Sequence, residues 1–213
     1  MTLQVKICGL TNRADAHAAA HAGAAMLGFV FYPPSPRNLT IEDAEMLEPD
    51  LPEGPDRVGV FVDPDDDLLQ AAIETLNLDW IQLHGDEDTK RVADIRALYS
   101  VGIIKAIPVA DEGDLEAMAA YGDHVDVFLF DAKAPKGATL PGGNGVSFNW
   151  SLLNDQGIDK PWLLAGGLTI ENLANAVEKS GAQAIDLSSG VESEPGKKDP
   201  ALIKAFLEAA SVL

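Results

Sequence analysis

The chain has 213 residues, 46% of them apolar, and its 34 acidic against 15 basic side chains leave a formal charge of -19. That much negative charge repels nucleic-acid phosphates and anionic lipid surfaces, so neither a nucleic acid nor a membrane is expected as a partner. A lone cysteine closes no intrachain disulfide, no Cys/His spacing resembles a metal site, and neither a signal-type amino terminus nor an apolar run near ~18 residues is present; the expectation is one cytoplasmic domain over 1–213.

From the amino terminus onward, short β-rich runs alternate with helical patterns. Strands are expected at Val5 to Leu10, Met26 to Tyr32, Arg57 to Asp63, Trp80 to Gly85, Gly102 to Val109, Val125 to Lys133, Trp162 to Leu168 and Ala184 to Val191. Helices are expected between and after them, at Arg13 to Ala22, Ile41 to Leu47, Asp66 to Leu76, Thr89 to Leu98, Glu112 to Ala120, Asn149 to Asn154, Ile170 to Lys179 and Pro200 to Ala210. Runs such as Leu27-Gly28-Phe29-Val30-Phe31 lack polar alternation, as parallel strands covered on both faces should. Thr169 before Ile170, and Asp199 before Pro200, read as helix starts. Eight such units close into an α/β fold of the (β/α)8 (TIM) barrel class, with a doubly wound open sheet as the alternative.

In such a barrel the strand carboxyl ends share one face, so polar residues there converge from distant parts of the chain. Those residues are Cys8, Gln82, His84, Asp131, Asp186, Ser188 and Ser189, with Arg37 in the loop after the second strand. Cys8 reads equally as a small-molecule contact or as a buried core cysteine, and a thiol near pKa ~8.5 acts as a base only where something lowers it. Asp131 offers an acid or a salt-bridge partner for Lys133, and to donate a proton it must first hold one. Arg37 has a planar fork suited to a carboxylate, or is a solvated surface arginine. His84 orients a ligand or fills the barrel top, whereas His17, His21 and His124 read as structural. Gly166-Gly167 before a helix, together with Ser188-Ser189-Gly190, suggests a phosphate site. The glycine- and proline-rich loop from Ala134 to Ser147 is a candidate lid or a surface insertion.

The ordered motifs Lys6-Ile7-Cys8-Gly9-Leu10-Thr11, Ser35-Pro36-Arg37, Gln82-Leu83-His84-Gly85-Asp86-Glu87, Phe130-Asp131, Leu164-Ala165-Gly166-Gly167-Leu168 and Asp186-Leu187-Ser188-Ser189-Gly190-Val191-Glu192 resemble the phosphoribosylanthranilate isomerases of tryptophan biosynthesis. The resemblance spans nearly the whole chain. It implies an Amadori rearrangement without metal or cofactor, with Asp131 as general acid and Cys8 as general base. It further implies Arg37 on the anthranilate carboxylate and the Gly166-Gly167 and Ser188-Ser189-Gly190 loops on phosphate. Gln82, His84 and Asp186 would contact or position the substrate, and a monomer is expected. The chain departs from the family's pattern at Asn144, Val146 and Asn149. Isomerisation of the related aminoaldose phosphate of histidine biosynthesis, and a catalytically silent binding barrel, are the competing readings.

Overall fold

The computed structural model describes residues 2–135, 137, 138, 140, 142, 143, 145–154 and 156–213. Eight parallel strands close a barrel in chain order: β1 (Gln4–Cys8), β2 (Met26–Phe31), β3 (Asp56–Phe61), β4 (Trp80–Leu83), β5 (Gly102–Val109), β6 (Val127–Ala132), β7 (Trp162–Leu164) and β8 (Ala184–Leu187), with β8 pairing back onto β1. The (β/α)8 expectation stands, and the closed ring excludes the open sheet.

Alternation along each strand divides the core into two layers. Outward-facing residues such as Ile7, Leu27, Phe29, Phe61, Ile81 and Phe130 are buried beneath the helices, while Val58, Val60, Ile104, Val127, Leu129 and Leu163 fill the barrel interior. Each such side chain stabilises the fold by about 1.5–3 kcal/mol when fully buried. Helix faces answer the outer layer. In α3 (Asp66–Leu76) the buried positions Leu69, Ala72 and Leu76 fall on one stripe, Asp65 caps the start by accepting from the Leu68 N–H at 2.9 Å, and Asn77 ends it in the left-handed region.

Four further helices begin where the sequence signals place them. In α1 (Arg13–His21) Asn12 accepts from the Asp15 N–H, and α2 (Ile41–Leu47) opens on a reciprocal Thr40/Asp43 box. Asp88 caps α4 (Thr89–Leu98), and Asp199 with Pro200 opens α7 (Pro200–Ala210).

Four expectations need correction, and one element was not expected. The fifth helix is mostly a 3-10 turn over Glu112–Ala117, held by an Asp111/Asp114 box, followed by the short α5 (Met118–Tyr121). The sixth is one 3-10 turn, Trp150–Leu153, capped by Asn149. Thr169 starts no helix: α6 spans Leu173–Ser180, because Asn172 accepts from the Thr169 N–H and donates to the Gly167 carbonyl, both at 2.8 Å, holding 167–172 as a turn. The eighth strand stops at Leu187, and a 3-10 turn over Ser189–Val191 then brings Val191 into the core. After it comes an unexpected hairpin of β9 (Glu192–Glu194) and β10 (Lys197–Lys198). No described helix is long and apolar enough to cross a membrane.

Candidate active site

The barrel's carboxyl-end face carries a pocket whose walls include Cys8, Arg37, Gln82, His84, Asp131, Gly166, Gly167, Asp186, Ser188 and Ser189. Ten of the eleven expected site residues therefore converge. Gly190 is not in the wall; it lies behind it, where any Cβ would collide with the Leu168 carbonyl oxygen.

Asp131 is the penultimate residue of β6, its side chain turned inward. One carboxylate oxygen accepts from the Ala132 N–H at 2.8 Å, and the other lies 3.3 Å from His84 Nε2. Lys133, the alternative partner considered above, pairs with Asp114 at 2.6 Å. Gln82, two residues before His84 on the same inward face, approaches His84 Nδ1 with its amide nitrogen at 2.9 Å, so the ring is held from below. The Gln82 carbonyl oxygen is buried without a partner among the described residues.

Cys8 ends β1 across the ring. Gly28 is its register partner on β2, and a Cβ there would sit 3.0 Å from the sulfur, so this glycine is what gives the thiol its space. Burial pushes the thiol's titration up; Lys6 pulls it down, Asp186 pushes it up and Lys198 pulls it down, and the balance stays above the usual thiol value.

Arg37 is buried, which rules out the solvated-surface reading. Its Nε and Nη2 donate to the two Glu192 carboxylate oxygens at 2.7 and 2.8 Å, leaving Nη1 beside Gly143 at the pocket. Gly9, at φ +78°, makes this course possible, because a Cβ there would meet the Arg37 chain at 2.5 Å. Glu192 is gripped again by Lys198 at 2.7 Å, and Lys198 also donates to the Ser188 carbonyl and hydroxyl oxygens at 3.0 and 2.9 Å. The two cations outweigh the effect of burial and hold the Glu192 carboxyl at about 2.

Gly166 and Gly167 both adopt positive φ, and the turn they open faces Ser188 and Ser189 across the pocket. Gly142, Gly143, Gly145 and Val146, described residues of the segment after β6, border this arrangement. Gly142 packs against His84 and Asp131, and Gly145 and Val146 pack against Gly167. Of the three departures noted in the sequence, Val146 lines the pocket, Asn149 caps a 3-10 turn away from it, and Asn144 lies outside the described residues.

Sequence reasoning assigned no role to Lys6, Glu192 or Lys198, although each is buried and charged or pairs at the site. Lys6 carried a readable signal, since it is a charged residue inside an apolar strand at the same parity as Cys8. Glu192 and Lys198 carried no signal of periodicity, because the hairpin that turns them inward has none of its own, although Glu192 closes the last of the motifs that carry the resemblance.

The family model described as N-(5'phosphoribosyl)anthranilate (PRA) isomerase matches residues 5–209. A relative from Cereibacter sphaeroides, an N-(5'-phosphoribosyl)anthranilate isomerase by name, is 52% identical over 208 residues and covers 98% of both chains. Another so named, from Rhodospirillum centenum, is 52% identical and covers both chains fully. The crystal structure of phosphoribosyl anthranilate isomerase from Thermotoga maritima superposes with a TM-score of 0.87 at 37% identity, covering 99% of this chain and 100% of that one. A structure of such an isomerase in complex with reduced 1-(O-carboxyphenylamino)-1-deoxyribulose 5-phosphate superposes at 0.85 with 35% identity and the same coverage.

Proposed function

The chain belongs to the N-(5'-phosphoribosyl)anthranilate isomerase family, and on that premise we propose that it carries out the Amadori rearrangement of N-(5-phosphoribosyl)anthranilate with Asp131 as acid and Cys8 as base. The observation that carries this reading is that a thiol and a carboxylate, borne on different sides of the barrel, face one pocket beside an anion-receptive turn.

Asp131 delivers a proton to the furanose ring oxygen. The C1–O bond breaks and the anthranilate nitrogen lone pair closes a C1=N iminium. The iminium acidifies C2, Cys8 removes its proton as thiolate, and the C–H electrons form a C1=C2 enolamine while the nitrogen regains its pair. Proton return to C1 and loss of the proton from the C2 hydroxyl give the 1-deoxyribulose ketone. Positioned groups of this kind typically contribute 10²–10⁴-fold each. Arg37 Nη1 holds the substrate carboxylate, and the Gly166-Gly167 turn and Ser188-Ser189 hold the phosphate through N–H and hydroxyl donors. His84, steadied by Gln82, fixes the Asp131 carboxyl, and Gly142, Gly143, Gly145 and Val146 border the bound ligand. The working state is a cytoplasmic monomer of one domain, to be checked by sedimentation.

The test is the decay of anthranilate fluorescence after enzyme is added to freshly generated substrate, with an indoleglycerol-phosphate synthase removing product and spontaneous hydrolysis subtracted. Rapid decay is expected, suppressed by about 10²-fold or more in Asp131→Asn. A folded protein that gives no decay above background refutes the reading, and turnover of the histidine-pathway aminoaldose alone, followed by its own absorbance, would replace it.

A further inference from the structure

Lys6 is a charged residue wholly buried inside the barrel. Its side chain has no exposure, and the β1–β8 register sets it opposite Asp186, whose carboxylate lies 2.8 Å from the ammonium. A pair buried so deeply rarely stabilises a fold more than apolar residues of equal volume would, because desolvation takes several kcal/mol per ion. Stability alone does not account for it.

The ammonium has three donors, and one goes to Asp186. Lys6 and Cys8 are two residues apart on one strand and so point the same way. Gly28 leaves nothing between them: a Cβ there would meet Cys8 Sγ at 3.0 Å and Lys6 Nζ at 3.1 Å. That shared approach places sulfur and nitrogen within the ~6 Å over which an opposite charge alters a titration. Lys198 and Arg37 also face the sulfur, but three Lys198 bonds go to Glu192 and Ser188 and two Arg37 bonds go to Glu192.

Resting on the assignment of Cys8 as the group that takes the C2 proton, we infer that Lys6 is the positioning residue of that base: its ammonium is the fixed counter-ion of the buried thiolate, and Asp186 sets how much of that charge the sulfur receives. The directions agree. Lys6 lowers the thiol's titration and Asp186 raises it; Lys6 itself, although burial pulls it down, is held above the ordinary lysine value by Asp186 and Cys8.

Cys8 is the chain's one cysteine, so thiolate absorbance against pH in the substrate-free enzyme reports this site alone. In Lys6→Met the thiolate titration should move up by about one pH unit or more, and in Asp186→Asn it should move down by a comparable amount. The acid-side limb of kcat/KM, which reports the free enzyme's base, should follow each shift. A merely structural pair would respond alike to loss of either partner, so shifts in the same direction, or none, overturn the inference. If Lys6→Met does not fold, Asp186→Asn decides alone: a downward shift supports the inference, and an unchanged or upward one overturns it. Absence of isomerase turnover in the wild type would defeat the proposed function without touching this titration, whereas unmoved titrations in an active enzyme defeat only the present inference.

Discussion

Glu192 stands between two cations with 4% of its side chain exposed. Burial alone would raise its titration, but Arg37 and Lys198 overcome that and hold it at about 2 against an ordinary 4.5. A difference of that size favours the folded state by about 3 kcal/mol wherever the carboxylate is ionised in both states. Because the folded value is the lower one, the contribution is complete above the unfolded value, shrinks as pH falls, and vanishes below about 2. Glu192→Gln keeps the shape and removes the charge, so near neutral pH it should cost about 3 kcal/mol. At ~2–4 °C per kcal/mol for a chain of this length, that is a fall in Tm of about 6–12 °C. At about pH 3 less than half of the gap should remain. Thermal unfolding of both proteins by circular dichroism at the two pH values measures it. A gap of equal size at both, or none at neutral pH, refutes the reasoning.

Two other outcomes are expected. In Gly142→Ala the new methyl collides with His84 and comes 2.7 Å from the Asp131 carboxylate; kcat should fall about 10- to 100-fold while the unfolding curve changes little, and unaltered kcat would show that the loop does not rest on the acid during turnover. Glu87 accepts from Lys105 at 2.9 Å and from the Asp63 and Gly85 N–H groups with almost no exposure. Glu87→Ala strands that lysine and should destabilise the fold by about 3–5 kcal/mol, read from the urea midpoint, with an unmoved midpoint counting against it.

The barrel was legible because its parallel strands are buried on both sides and read as unbroken apolar runs, and because Asp199 before Pro200 marks the start of the last helix. Cys8, Asp131 and Arg37 were visible as chemistry but not as environment. Nothing local says that Arg37 spends most of its fork on Glu192, 155 positions away, or that burial leaves the thiol above its usual value. Asn172, by bonding back to Gly167, set the start of α6 through a contact that propensity does not contain. The β9–β10 hairpin was illegible for a related reason: its two short strands are specified by the cations and the carboxylate that meet beneath it.

That hairpin also works as a ruler. Arg37, assigned to one end of the ligand, and Ser188, assigned to the other, hang from loops far apart in the chain, yet Glu192 and Lys198 tie them through three consecutive buried charge-assisted bonds. On the proposed assignment of Arg37 and Ser188, the span between carboxylate and phosphate anchors is set before anything binds. A ligand shorter or longer by one atom could satisfy both ends only by breaking a bond in that chain, at about 1.5–3 kcal/mol each, so the length of the molecule is read independently of the groups that react in the middle of it.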